Sequence, residues 1–276
     1  MVCRKSAATM DVAARRVGQR KGARSYDGQL PRGARVAFVL LNAACTFVYR
    51  VSRFTEQERA SVAQQARAVA TRAQIVLGAA ELFEKQGFVG ASLGTILENT
   101  GLTKGALYFH FKSKEELARC IIAEQHATSI ASVEAIGREQ ASAIEQIVML
   151  CHEMARQIVH DPIVRAGIRI TLELSVDDQG PADPYLDWIN TCEHLARRAV
   201  EQGDLEPDID PPRFARFVIG AFTGVQTVSQ VLTQRTDLEH RVDDMWGFLL
   251  PGIMPAHRHP DIGRIRTARS EVAQRN

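Results

Sequence analysis

The strongest constraint on this chain is a run of closely spaced helix caps. Ser92, Thr103 and Ser113 each stand just ahead of a segment with helical periodicity, where a side-chain oxygen can accept a first-turn backbone N–H. Gly101 closes the first of these segments, because glycine takes the left-handed conformation that ends a helix. Leu102 and Leu107 occupy the two positions of a hydrophobic staple around Thr103. Ser113-Lys-Glu-Glu116 is a capping box, with Ser at the cap and Glu three residues on. Upstream, Val76, Ala79, Ala80 and Phe83 repeat at one-face helical spacing, with Thr71 as the cap and Gly87 as the stop. The spacing predicts three short helices with tight turns. The turn between the second and third is Thr100-Gly101-Leu102-Thr103, which makes residues 67–125 a helix-turn-helix unit.

The remainder also reads as helix. Amphipathic or proline-initiated helices are expected over 143–159, 162–174, 184–202, 213–232 and 238–250, with a loop over the Asp-, Gly- and Pro-rich 177–184. No alternation of period two appears, so the fold class is all-α. A three-helix DNA-binding domain over 67–125 is followed by a helical domain over 126–255 and a basic tail over 256–276. Residues 1–66 are expected to be a basic, disordered extension or the product of a start codon placed too far upstream.

The third helix carries residue types suited to a major groove. Thr103 sits at a helix N-terminus, which favours a phosphate. Lys104 can reach a phosphate or a guanine edge. Gly105 and Ala106 are small enough for close approach to bases. Tyr108 shares the face of Lys104, and His110 and Lys114 lie beyond, placed to hold the DNA backbone. Ser92 caps the preceding helix on the same side. Leu107, Phe109 and Phe111 are expected inside. Taken one at a time, each of these residues also fits solvated surface or ordinary core.

Charge is segregated. The net of +2 combines +8 over residues 1–60, +1 over 61–125, −10 over 126–255 and +3 over 256–276. Different regions therefore suit different partners. The five cysteines are odd in number and form no C-x-x-C pair, which speaks against a disulfide framework or a zinc site and for a reducing cytoplasm. The apolar run Val36–Tyr49 is shorter than the ~20 residues of a spanning helix.

The run from Ala91 to Leu117, and above all Gly101 to Phe111 followed by Lys114 and Leu117, resembles the DNA-binding signature of TetR-family transcriptional regulators. Ala91 stands where that family more often has Thr, and Leu97 where it often has Ala. The segments Thr103–Phe111, Val164–Arg169, Pro184–Trp188, Phe222–Gln226 and Met245-Trp246 are further similar to γ-butyrolactone receptors of antibiotic-producing actinomycetes. The resemblance implies a homodimeric repressor on a double-stranded DNA operator, with no cofactor. It implies release when a small γ-butyrolactone or butenolide enters the C-terminal domain, and it matches Trp188 to the family's pocket tryptophan and Trp246 to a second one.

An indole offers a broad apolar face and one N–H, which suits a lactone with an alkyl tail, and it equally suits core filling. Thr223 and Gln226 interrupt an apolar helix and can bond a ligand, backbone or water. That helix carries two apolar stripes, Val218, Phe222, Val225, Leu232 and Phe217, Ala221, Gly224, Val228, Val231. Two stripes predict burial on two sides, one of them against a second subunit.

Two rival classes are weighed. His152-Glu153 begins like the zinc-protease H-E-x-x-H motif, but Arg156 replaces the second histidine. No nucleophile elbow, P-loop or dinucleotide fingerprint occurs, so neither catalysis nor a metal is expected. A membrane-surface module would rest on the basic N-terminus and the run 36–49, and no membrane partner is expected.

Overall fold

A computed structural model describes residues 56–175 and 183–270. The run Val36–Tyr49, Cys3, Cys45 and most of the loop expected over 177–184 lie outside the described residues. Among the described residues there are ten α-helices and no strand. In chain order these are α1 (Glu56–Gly90), α2 (Leu93–Thr100), α3 (Lys104–His110), α4 (Lys114–Gly137), α5 (Ala143–His160), α6 (Pro162–Ser175), α7 (Asp183–Glu201), α8 (Pro211–Thr233), α9 (Leu238–Ile253) and α10 (Ile262–Arg266). A 3-10 turn over Ala256–Asp261 precedes α10.

The cap signals locate most boundaries. Ser92 Oγ accepts from Thr95 N at 3.1 Å, Thr103 Oγ1 from Ala106 N at 3.2 Å, and Ser113 Oγ from Glu116 N at 3.1 Å. Gly101 takes φ 67° and ψ 13°, the left-handed stop that any Cβ would strain. Two boundaries differ from the sequence reading, and one of them is the end of α9, expected at Leu250, which runs through Pro251 to Ile253. The first helix begins at Glu56, so Thr71 lies inside it. The reason is propensity: Glu56–Ala70 is rich in Glu, Gln, Ala and Arg, which continue a helix past a weak cap. Regular helix geometry in α1 breaks at Gly87, where φ is 76° and ψ 172°.

Two apolar cores follow. The first buries Ile75, Val76, Ala79, Ala80 and Phe83 of α1 against Ile96, Leu107, Leu117 and Ile121, and is completed by Ala166 and Ile170 of α6. The second joins α5, α7, α8 and α9 around Ile144, Val148, Ala196, Val218 and Trp246, and is closed by Ile265 of α10. Helix α4 runs unbroken across residue 125 and packs along α6. Their approach is close at Gly167. A Cβ there would stand 2.6 Å from Gln125 Cβ, nearer than packed atoms come.

His152 of α5 pins the C-terminal segment, with its Nε2 3.0 Å from Arg266 O. Burial, and then the charge of Arg269, push the His152 pKa down to about 4, against a smaller opposing pull from Asp243.

Two outcomes follow from this packing. Replacing a helical glycine by alanine ordinarily gains about 1 kcal/mol of helix propensity. Gly167→Ala should instead lower stability by about 1–3 kcal/mol through overpacking, read as a lower urea midpoint. His152 stays neutral in the folded chain down to pH about 4, whereas the unfolded chain takes up its proton near about pH 6.5. Its contribution is therefore whole above that pH and is lost as the pH falls towards 4, by up to about 3 kcal/mol. Urea melts from pH 7 to 4 should show this loss, and His152→Gln should reduce it.

Candidate DNA interface and effector cavity

The outward face of α3 gathers several of the expected residues. Thr103, Lys104 and Gly105 are exposed, Ala106 and His110 are half-buried, and Tyr108 is 44 % exposed. Lys104 Nζ lies 5.7 Å from the Tyr108 ring centre, so ammonium and ring form one surface. A Cβ at Gly105 would meet nothing within 4 Å, so no intramolecular packing requires glycine there. Ser92 is exposed at the start of α2. Leu107 and Phe111 are buried as expected, at 0 % and 3 % exposure.

Two expectations need correction. Phe109, expected inside, is 79 % exposed and stacks edge-on against His110, centroids 4.9 Å apart. A seven-residue helix has one buried stripe, and Leu107 and Phe111, four residues apart, already fill it. Lys114, expected on the DNA backbone, is turned inward. Its Nζ donates to Phe88 O at 2.8 Å and Ala91 O at 3.0 Å, and sits 4.4 Å from the Phe88 ring centre. The start of α4 lies beneath the free carbonyls of the α1–α2 turn, and those outcompete solvent for the ammonium.

Below this face, α6 grips the end of α1. Glu84 Oε1 lies 2.7 Å from Arg165 Nε and 3.3 Å from Arg235 Nη1. Arg169 Nη1 donates to Glu84 O at 2.5 Å while its Nε holds Glu173 at 2.7 Å. Glu173 Oε2 in turn accepts from Phe88 N at 2.6 Å. Arg235 reaches Glu84 from the α8–α9 turn. There Gln234 and Arg235 take φ 52° and 70°, a region non-glycine residues adopt only when their surroundings hold them. Asp237 supplies part of that hold by accepting from Ser229 and Thr233, both at 2.6 Å. Burial works against the Arg235 charge, and Glu84 supports it.

The second domain holds a cavity of about 80 Å³ between α4, α5, α6, α7 and α8. That is several times the roughly 10–15 Å³ that one water's centre needs. Its walls are mainly apolar, with Trp188, Thr223 and Gln226 among the lining residues. Trp188 packs edge-on against Tyr185, centroids 4.9 Å apart, and its buried Nε1 has no hydrogen-bond partner. Thr223 Oγ1 donates to Ile219 O at 2.8 Å and shares a hydrogen bond with the Tyr185 hydroxyl. Burial pushes the Tyr185 phenol up, and that bond partly offsets it. Gln226 Nε2 donates to Thr227 Oγ1 at 3.3 Å.

Trp246 is not on these walls. It is fully buried in the second core. Cys151 and Cys192 do line the cavity as free thiols. Burial raises both, Cys192 to about 12. His152 and Arg156, the remnant of a metal-site spacing, bond Arg266 O and Glu153. Among the described residues no group of three metal-ligating side chains occurs, and no helix is long and apolar enough to cross a membrane. Sequence reasoning passed over Tyr185, although it stands one turn before Trp188, and the polar cavity residues of α4 and α5.

A helix-turn-helix joined to a helical domain with its own apolar cavity is the architecture of a DNA-binding regulator. Residues 75–121 match the family model of bacterial regulatory proteins of the tetR family, and residues 141–255 match that of the tetracyclin repressor-like C-terminal domain. The A-factor receptor protein of Streptomyces griseus is 37 % identical over 211 residues, 75 % of this chain and 73 % of that one. A solved γ-butyrolactone receptor, ArpA-like, superposes with TM-score 0.62 at 29 % identity, covering 76 % of this chain and all of that one. CprB of Streptomyces coelicolor, solved with its operator sequence, superposes with TM-score 0.62 at 33 % identity over the same shares. The chain belongs to the TetR family of bacterial transcriptional regulators.

Lys104 and Lys114 should separate in experiment. Lys104→Ala should weaken operator binding with little change in the urea midpoint. Lys114→Ala should lower stability by about 1–2 kcal/mol, read as a lower midpoint, since it leaves two carbonyls without a charged donor.

Proposed function

We propose that the protein is a homodimeric repressor, released from a pseudo-palindromic operator by a small γ-butyrolactone-like signal and controlling secondary metabolism. One observation carries the reading. Trp188 presents a buried, unpartnered indole N–H on an apolar cavity, in a domain whose α6 is bonded to the end of α1 through Glu84 and Phe88. Lys104, Tyr108 and His110 would contact DNA, with Thr103 and Ser92 at helix N-termini facing phosphates. The likeness to the A-factor receptor and to the γ-butyrolactone receptor structures supports the ligand class.

Dimerisation rests on the outer face of α8 and α9. Phe217, Val228, Val231 and Leu232 are 56, 46, 76 and 66 % exposed, and Phe248 is 87 % exposed. Leu232, grouped by periodicity with Val218, Phe222 and Val225, is exposed beside Val228 and Val231, because an ideal helix drifts against a fixed spacing near its end. Gly220 and Gly224 on the same face have open space where a Cβ would be. A two-fold pair would present its recognition helices to half-sites about 34–36 Å apart, one helical turn.

An operator selected from random DNA with the purified protein, followed by gel-shift titration with alkyl γ-butyrolactones, tests this. Release at low ligand concentration is expected, and Trp188→Ala should abolish release while keeping DNA binding. Operator binding that no lactone or butenolide reverses would leave a TetR-family regulator answering a different ligand.

A further inference from the structure

The cavity has a second polar wall, opposite in character to the Trp188 side. Ser132 of α4 and Glu153 and Gln157 of α5 line it. Glu153 is 7 % exposed, and its carboxylate is held by Arg156, Nε to Oε2 at 2.9 Å and Nη2 to Oε1 at 2.8 Å. Both carboxylate oxygens thus accept from the guanidinium. Gln157 is 5 % exposed, and its Nε2 donates to Glu153 Oε1 at 2.8 Å and to Ser132 Oγ at 2.7 Å.

These bonds decide which way the amide faces. Both oxygens of Glu153 already accept from Arg156, so the nitrogen of Gln157 must face Glu153, and a flipped amide would set oxygen against oxygen. Both N–H groups are therefore committed. Oε1 is left as a buried acceptor with no partner. Trp188 Nε1 is a buried donor in the same condition. Among the residues lining the cavity there is no Lys, Arg or His, and the one formal charge is the carboxylate of Glu153.

We propose that Gln157, oriented by Glu153 and Arg156, is the specificity-determining residue of this cavity, which takes an uncharged amphiphile carrying a hydroxyl and refuses a carboxylate. The ligand's hydroxyl donates to Gln157 Oε1, and a carbonyl oxygen accepts from Trp188 Nε1. An anionic ligand, the ring-opened form of a lactone included, meets an acceptor and a carboxylate whose one cation, Arg156, is already engaged by Glu153 and is not among the lining residues. The proposal rests on reading the cavity as the effector site, and it narrows the effector to neutral, hydroxylated molecules.

The test uses the full chain and calorimetry, with two probe sets. The first is an alkyl γ-butyrolactone bearing a hydroxymethyl group, the same lactone without the hydroxyl, and its alkali-opened carboxylate. The second is 1-decanol against decanoate. The hydroxylated lactone should bind about tenfold tighter than its deoxy analogue, the worth of one buried hydrogen bond. In Gln157→Leu, with the fold checked by circular dichroism, that difference should vanish. The carboxylates should bind about a hundredfold more weakly than their neutral counterparts or not at all, and Glu153→Gln should narrow that gap. Lactones that bind without regard to hydroxyl or charge would overturn this proposal and leave the effector reading intact. Lactones that all fail while decanol binds and decanoate does not would overturn the lactone reading and keep the selectivity. Decanoate binding as well as decanol would overturn the selectivity whatever the lactones do.

Discussion

The ionic junction at Glu84 sets the relation between the two halves of the regulator. Arg165 and Arg235 converge on its carboxylate, and Arg169 takes its carbonyl. Without that carboxylate, two arginines would face each other at 18 % and 14 % side-chain exposure, where charge is poorly screened. One step along, Glu173 fixes the Phe88 N–H and Lys114 the Phe88 carbonyl. A single peptide segment is thus held from α6 on one side and from α4 on the other. Helix α3 sits between that segment and α4 in the chain and inherits its placement from both.

The junction also explains where the molecule tolerates strain. Gln234 and Arg235 sit at positive φ without being glycine, and the hydrogen bonds to Asp237 lie directly beside them. The turn aims Arg235 at α1. Gly167 answers the same demand by another means, because α6 can place Arg165 and Arg169 against α1 only if it also lies close on Gln125 of α4.

Local grammar made the helices readable. Ser92, Gly101, Thr103 and Ser113 act within four residues of themselves, so their spacing was enough to find α2, α3 and the start of α4. The errors have the opposite origin. Lys114 finds carbonyls 26 and 23 residues away, which no local pattern encodes. Phe109 looked like core because its residue type outweighed its position on a helix of two turns. Trp188 and Trp246 are chemically alike, and only the placement of their helices separates a cavity wall from a core. The segment Val164–Arg169 was legible as a family resemblance, but its reason is tertiary. Arg165, Gly167 and Arg169 are the contacts of α6 with α1 and α4.

Charge segregation acquires a physical meaning in this frame. The DNA-binding segment nets only +1, and Lys114 is withdrawn from its surface, so few groups remain to displace counterions. If Lys104 contacts DNA as proposed, its placement follows from the α1–α2 segment beside the Glu84 junction. A ligand shifts such an equilibrium only by contacts that differ between its two states. Ile168 of α6 lines the cavity and stands between Arg165 and Arg169 in sequence. Phe222 of α8 lines it too, on the helix whose following turn carries Arg235. Two of the cavity's walls are therefore the elements that end on Glu84. A displacement of either wall would thus act on the junction that holds α6 to the end of α1.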